Sequence, residues 1–123
     1  MAAGRSELRV FVDANILIAG SVWPRWPYEV LQHALSNEYI LVLNGYVIEQ
    51  ARRTLAKRFP HEMHRFDAFL MTCDYEEAGT PSVEAVNANA YLVRDITDVP
   101  VALAAIEAGA DCLVSEDKDL TAR

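Results

Sequence analysis

VFVDANILIAG, residues Val10 to Gly20, places one carboxylate between two apolar runs. Val10, Phe11 and Val12 read as a buried strand, and Ile16, Leu17 and Ile18 are equally apolar. Asp13 lies between them. An unpaired carboxylate in such surroundings either carries a heavy desolvation cost or takes up a proton. Asp13 therefore has a structural partner, or it is held there for chemistry.

The pattern extends outward from this stretch. Arg9–Val12 shows little polar alternation, as expected of a parallel strand covered on both faces. SVWPRWPYEV (21–30) breaks the chain, and a helix is predicted to open near Pro27. Val30, Leu31, Ala34 and Leu35 share one face of that helix. YILVL (39–43) is a second buried strand. Asn44 then caps a helix running through Arg58 and stopped by Pro60. HEMHRFDAFLMT (61–72) is helical, and CDYEEAG (73–79) is a short strand and turn. Ser82 opens a helix over SVEAVNANAYLV, and RDITDVP (94–100) is a loop. VALAAIEAGA (101–110) is a helix closed by Gly109, and DCLVS (111–115) is a third strand. Strands that alternate with helices predict an α/β fold, a three-layer α/β/α sandwich around a parallel sheet. Without repeats, low-complexity segments or a linker, residues 1–123 are expected to form a single domain.

The chain is 52% hydrophobic and 24% charged, ordinary for a globular protein. No apolar run approaches the roughly 18 residues of a membrane span. No secretory h-region precedes the first strand. Cys73 and Cys112 are far apart and read as reduced thiols, which implies a cytoplasmic location. The net charge of −7 disfavours a general nucleic-acid binder. The same charge suits a protein that gathers carboxylates around a cation.

In open parallel sheets, ligands bind beyond the carboxyl ends of the strands. Asp13 follows the first strand there, and Glu49 lies in the helix after the second. Asp95 and Asp98 lead into the Gly109-capped helix. Asp117 follows the third strand, with Glu116 and Asp119 beside it. Carboxylates that converge repel one another, and Lys118 alone does not neutralise them. An all-oxygen set of this kind suits Mg²⁺ or Mn²⁺, ions that drive in-line phosphodiester displacement. Asn15 supplies a neutral group able to orient a ligand. Structural alternatives stand beside this: Asp98 as a helix cap, and Asp117 and Asp119 as turn residues. A haloacid-dehalogenase-type phosphatase is excluded because its second Asp is here Asn15. A receiver domain is excluded because no acidic pair follows the first strand and no Asp follows YILVL.

These residues carry a resemblance to the PIN domain family of metal-dependent ribonucleases, which includes toxins of toxin–antitoxin pairs. VFVDANILIAG is similar to the family's opening strand, with its Asp and following polar residue. VIEQARRTL resembles the helix that carries the family's Glu. RDITDVPVALAAIEAGADCLVSEDKDL resembles the Asp-opened helix, GAD turn, apolar strand and Ser-x-Asp ending. The resemblance implies an Mg²⁺- or Mn²⁺-dependent endoribonuclease with metal-binding, catalytic acids at Asp13, Glu49, Asp98 and Asp117. Asn15 and Ser115 match supporting polar positions, and Asp95 and Asp119 match less uniform acidic ones. It further implies an RNA substrate, products with 5′-phosphates, and an antitoxin protein as partner. The family continues past the last acid with another strand, whereas this chain stops at Arg123. The sheet edge is then expected to be exposed, supplied by a partner, or absent because the chain is incomplete; an exposed edge invites pairing, so a homodimer is expected. The competing function is a PIN-like module that binds RNA or protein without cleaving.

Arg52, Arg53, Lys57 and Arg58 sit on the Glu49 helix. They read either as a solvated face or as contacts to an RNA backbone. His61 and His64 have zinc-like spacing but no third ligand nearby, which favours surface histidines. Trp23 and Trp26 are better placed for packing around Pro24 and Pro27 than for stacking bases.

Overall fold

The structure is a computed structural model that describes residues 8–88 and 99–115. The chain forms β1 (Arg9–Val12), α1 (Ala14–Val22), α2 (Trp26–Leu35), β2 (Ile40–Asn44) and α3 (Gly45–Arg58). A 3₁₀ turn (Pro60–Glu62), α4 (Met63–Thr72), β3 (Glu76–Ala78), α5 (Val83–Ala88), α6 (Val99–Glu107) and β4 (Cys112–Val114) follow. The described sheet is parallel throughout, in the order β3-β2-β1-β4. The chain steps from β1 through β2 to β3 in one direction, then returns to place β4 on the far side of β1. Right-handed crossovers therefore put the helices of the two halves on opposite faces. The packing agrees: α1 packs on α2, α3 and α4, whereas α5 packs on α6 and α6 on β4. The expected three-layer α/β sandwich is the observed fold.

α1 is the element for which the sequence pattern gave no period. Seven of its nine residues are buried, so its apolar positions run all round the helix and no amphipathic stripe exists to detect. It packs so closely on α2 that a Cβ on Gly20 would lie 2.5 Å from Leu31 Cδ1. The other expected boundaries fall close to place. Pro27 sits in the first turn of α2, and Gly109 has a left-handed φ of +69° after α6. Ser82 Oγ accepts from Ala85 N–H at 3.1 Å at the start of α5. The remainder of the helix predicted from Ser82 lies outside the described residues. Among the described residues, no helix is long and apolar enough to cross a membrane.

At the amino end of the sheet, Arg9 acts as a clamp. Its guanidinium reaches both carboxylate oxygens of Glu76, at 3.1 and 2.5 Å, and the carbonyls of Ala108 and Gly109 behind α6. Its backbone exchanges hydrogen bonds with Asp111 at 2.7 Å in each direction. The Glu76 hydrogen bond raises the Arg9 pKa further above its ordinary value.

At the carboxyl end, Asn44 is fully buried. Its Oδ1 accepts from Val47 N–H at 2.9 Å, and its Nδ2 donates to the Gly79 carbonyl at 3.3 Å. One side chain thus starts α3 and ties it to the end of β3. Asn44→Ala removes the cap and leaves a carbonyl short of a donor, and is expected to cost about 1–3 kcal/mol. Asn44→Ser retains a cap acceptor and should cost less. Urea midpoints at constant slope measure both.

Candidate functional site

The strand register defines a row across the carboxyl edge. β1 and β4 pair Val12 with Val114, so the next residues, Asp13 and Ser115, face each other. β1 and β2 pair Phe11 with Val42, so the same count brings Asn44 opposite Asp13 from the other side. Four polar side chains are buried among the described residues, and three of them form this row: Asp13, Asn44 and Ser115. The fourth, Ser21, donates to the Leu17 carbonyl at 2.8 Å within α1. Buried polar groups need partners, and the row supplies them.

Asp13 has extended backbone and caps α1, its Oδ1 accepting from Ile16 N–H at 3.1 Å. Its Oδ2 accepts a short hydrogen bond from Ser115 Oγ. Its own N–H reaches the Val114 carbonyl at 3.3 Å. The carboxylate that the sequence leaves unexplained is therefore partnered structurally. It also stands where the chain reverses direction across the sheet, between β1 and β4, where open α/β sheets bind ligands. Asn15 lies beside it, exposed near the start of α1.

Glu49 is one turn into α3 and exposed, with Arg53 Nη2 3.5 Å from its carboxylate. Tyr46, Glu49, Gln50 and Arg53 line a cleft of about 140 Å³. Asp95, Asp98, Glu116, Asp117 and Asp119 lie outside the described residues. Among the described residues, no three His, Cys, Asp or Glu side chains gather as a metal set. That includes His61 and His64, which interact only through His64 Nδ1 and the His61 carbonyl. The four basic residues of α3 separate. Arg52 pairs with Asp67 at 2.6 Å and lies over the Phe66 ring, while Arg58 lies over Phe59. Arg53 and Lys57, four residues apart, remain on one exposed stripe with Glu49. Trp23 packs edge-on against Phe59, 5.4 Å between centroids. Cys73 and Cys112 are both free thiols, and burial followed by the neighbouring Asp111 raises the pKa of Cys112.

A family model described as a PIN domain matches residues 9–119. The chain belongs to the PIN domain family. Two crystal structures share the fold. PAE2754 from Pyrobaculum aerophilum is 20% identical, with a TM-score of 0.68, covering 98% of this chain and 82% of its own. VapBC2 from Rickettsia felis, bound to a DNA fragment from their promoter, is 14% identical with a TM-score of 0.62. That match covers 89% of this chain and 100% of the other. No curated protein sequence matches the chain significantly.

Within this PIN domain, sequence reasoning named Asp13, Glu49, Asn15 and Ser115 but passed over Tyr46 and Gln50. The spacing i, i+3, i+4 and i+7 in YVIEQARR puts Tyr46, Glu49, Gln50 and Arg53 on one face, but nothing in the residue types marks that face as a cleft. The bond between Ser115 and Asp13 yields a direct expectation. Ser115→Ala should cost about 1.5–3 kcal/mol, the range for hydrogen bonds to charged groups. A double-mutant cycle with Asp13→Asn, measured by denaturation, should return a coupling above about 0.5 kcal/mol. Additive effects would mean that the bond contributes nothing.

Proposed function

We propose that this PIN domain is a metal-dependent endoribonuclease that hydrolyses RNA phosphodiester bonds. The observation that carries the reading is the buried carboxylate of Asp13, held at the switch point of the sheet by Ser115 and the first turn of α1. The donors are hard oxygens, which fit Mg²⁺ or Mn²⁺. Asp13, Glu49, Asp98 and Asp117 would hold the ion, with Asn15, Asp95, Ser115 and Asp119 in support. When bound, the ion supplies an activated water and offsets charge on the leaving oxygen.

The chain's own part is orientation. Ser115 and Ile16 N–H fix the Asp13 carboxylate from two directions, so it pays little entropy on engaging a cation. Among the described residues, Glu49 is held only by an exposed i, i+4 pair, an interaction of roughly 0.3–0.5 kcal/mol that is easily exchanged. Arg53 and Lys57 supply local positive charge for phosphate in a chain of net charge −7. The biological setting we propose is a cytoplasmic toxin with an antitoxin protein as partner. The VapBC2 likeness supports that setting, and a homodimer is proposed with it.

The deciding experiment incubates mixed RNAs with Mg²⁺, Mn²⁺ or EDTA, beside Asp13→Asn and Asp98→Asn. Cleavage is expected only in metal, and not by Asp13→Asn or Asp98→Asn; Asp95→Asn should weaken it without abolishing it. Parent protein that binds RNA but leaves it intact in every metal would establish the non-cleaving module instead. Melting gives a second readout. The parent should gain about 2.7 kcal/mol at a hundredfold excess of metal over Kd, and Asp13→Asn little. A further expectation concerns α3. Replacing Arg53 and Lys57 by Gln should lower the slope of log affinity against log salt by about one unit per lost contact. Arg52→Gln should mainly lower stability, since its charge is already paired with Asp67.

A further inference from the structure

The cleft on α3 has a composition that a metal site does not require. Tyr46, Glu49, Gln50 and Arg53 follow one another at i, i+3, i+4 and i+7, which stacks them on one stripe of the helix. That spacing usually marks a core stripe, but the core stripe of α3 is elsewhere, at Val47, Ala51 and Leu55. The second stripe opens to solvent and encloses about 140 Å³. A space of this size is on the scale of one planar ring system.

Each lining group has a distinct chemistry. Tyr46 is half-buried, packs against the core and lines the cleft, so it brings an aromatic ring to it. Gln50 is exposed and carries both an amide donor and an acceptor, the pair that reads a base edge. Among the described residues, Arg53 is held only by Glu49, at 3.5 Å, with 72% and 63% of the two side chains exposed. Such a pair is readily exchanged for phosphate, which the guanidinium takes in a bidentate fork. Lys57 continues the stripe one turn further along α3. An aromatic wall, an amide and a guanidinium in one small cleft form the set that holds a base and its phosphate in single-stranded nucleic acid.

We propose that Tyr46, Gln50 and Arg53 form a subsite for one unpaired nucleotide of the RNA substrate. The base stacks on Tyr46, Gln50 reads its edge, and Arg53 takes the adjoining phosphate. Glu49 at the rim of the same cleft joins this subsite to the proposed metal-binding acids, so the base held here adjoins the scissile phosphate. The substrate identity rests on the ribonuclease reading above; the cleft and its chemistry do not. The subsite gives the enzyme a base preference at one position beside the cut.

The test measures anisotropy of labelled single-stranded A, C, G and U homo-oligomers in EDTA, where no metal-dependent cleavage occurs. Parent, Tyr46→Phe, Tyr46→Ala and Gln50→Ala are compared, with melting curves for each. Tyr46→Ala is expected to weaken binding about 5- to 100-fold, the loss of one stacked base. Tyr46→Phe keeps the ring and should bind as the parent does. Gln50→Ala, at an exposed position, should keep the fold and flatten the preference among the four oligomers. In Mn²⁺, Tyr46→Ala and Gln50→Ala should raise KM more than they lower kcat. Parent-like binding and parent-like preference in both Tyr46→Ala and Gln50→Ala overturn the subsite, whatever the cleavage result. If Tyr46→Ala fails to fold, an unchanged preference in Gln50→Ala overturns it alone. A parent that discriminates among the oligomers through Gln50 but cleaves nothing in metal upholds the subsite and overturns the ribonuclease reading.

Discussion

The hydroxyl of Ser115 and the carboxylate of Asp13 meet across 102 residues of chain, and the carboxyl edge of the sheet is organised around that contact. β4 is short, and its register on β1 is set by only three residue pairs. The bond at the end of those pairs joins the two strands where the chain changes direction. The same carboxylate starts α1, whose amide groups carry partial positive charge toward it. A buried anion is tolerable only when such donors converge on it. Strand register, helix start and the aim of one acid are therefore a single constraint.

Asn44 repeats the arrangement without charge. It too ends a strand, is buried, and starts a helix. The two caps launch α1 and α3 from adjacent strands in the same direction, so both helices begin at the edge where Asp13 lies. α1 is enclosed by α2, α3 and α4, which leaves it little room to tilt. Glu49 and Arg53 ride on α3 one and two turns further on. Side chains carried by packed elements hold their positions better than side chains on loops.

Much of this was legible in the residues. The strands stood out because parallel strands buried on both faces read as unbroken apolar runs. Asn44 and Gly109 announced helix boundaries through chemistry that has few other uses. Asp13 announced itself through the cost of placing a charge in an apolar run, although whether the reason was structural or chemical was not readable, and the structure supplies a structural partner. α1 was invisible because a helix buried on nearly every side loses its period. The basic cluster on α3 looked like one patch in sequence because four cations fall within seven residues. In three dimensions Arg52 turns toward α4 to meet Asp67 and Phe66, Arg58 lies on Phe59, and only Arg53 and Lys57 share a face. Tyr46 and Gln50 were hidden for a different reason: nothing in their types distinguishes a lining residue from a surface one until the cleft is seen.

Arg9 and Asp13 stand at opposite ends of the same short strand, roughly 13 Å apart at about 3.3 Å per residue. Arg9 fixes the amino end to Glu76, Asp111 and the carbonyls of Ala108 and Gly109 just after α6, at a distance from the proposed site. A slip of one residue between β1 and β4 would turn every side chain of the strand to the wrong face. With alignment secured from the far end as well, the register does not depend on the acid end alone. In the proposed metal site, its charge is then free to exchange partners while the strands beneath stay in step.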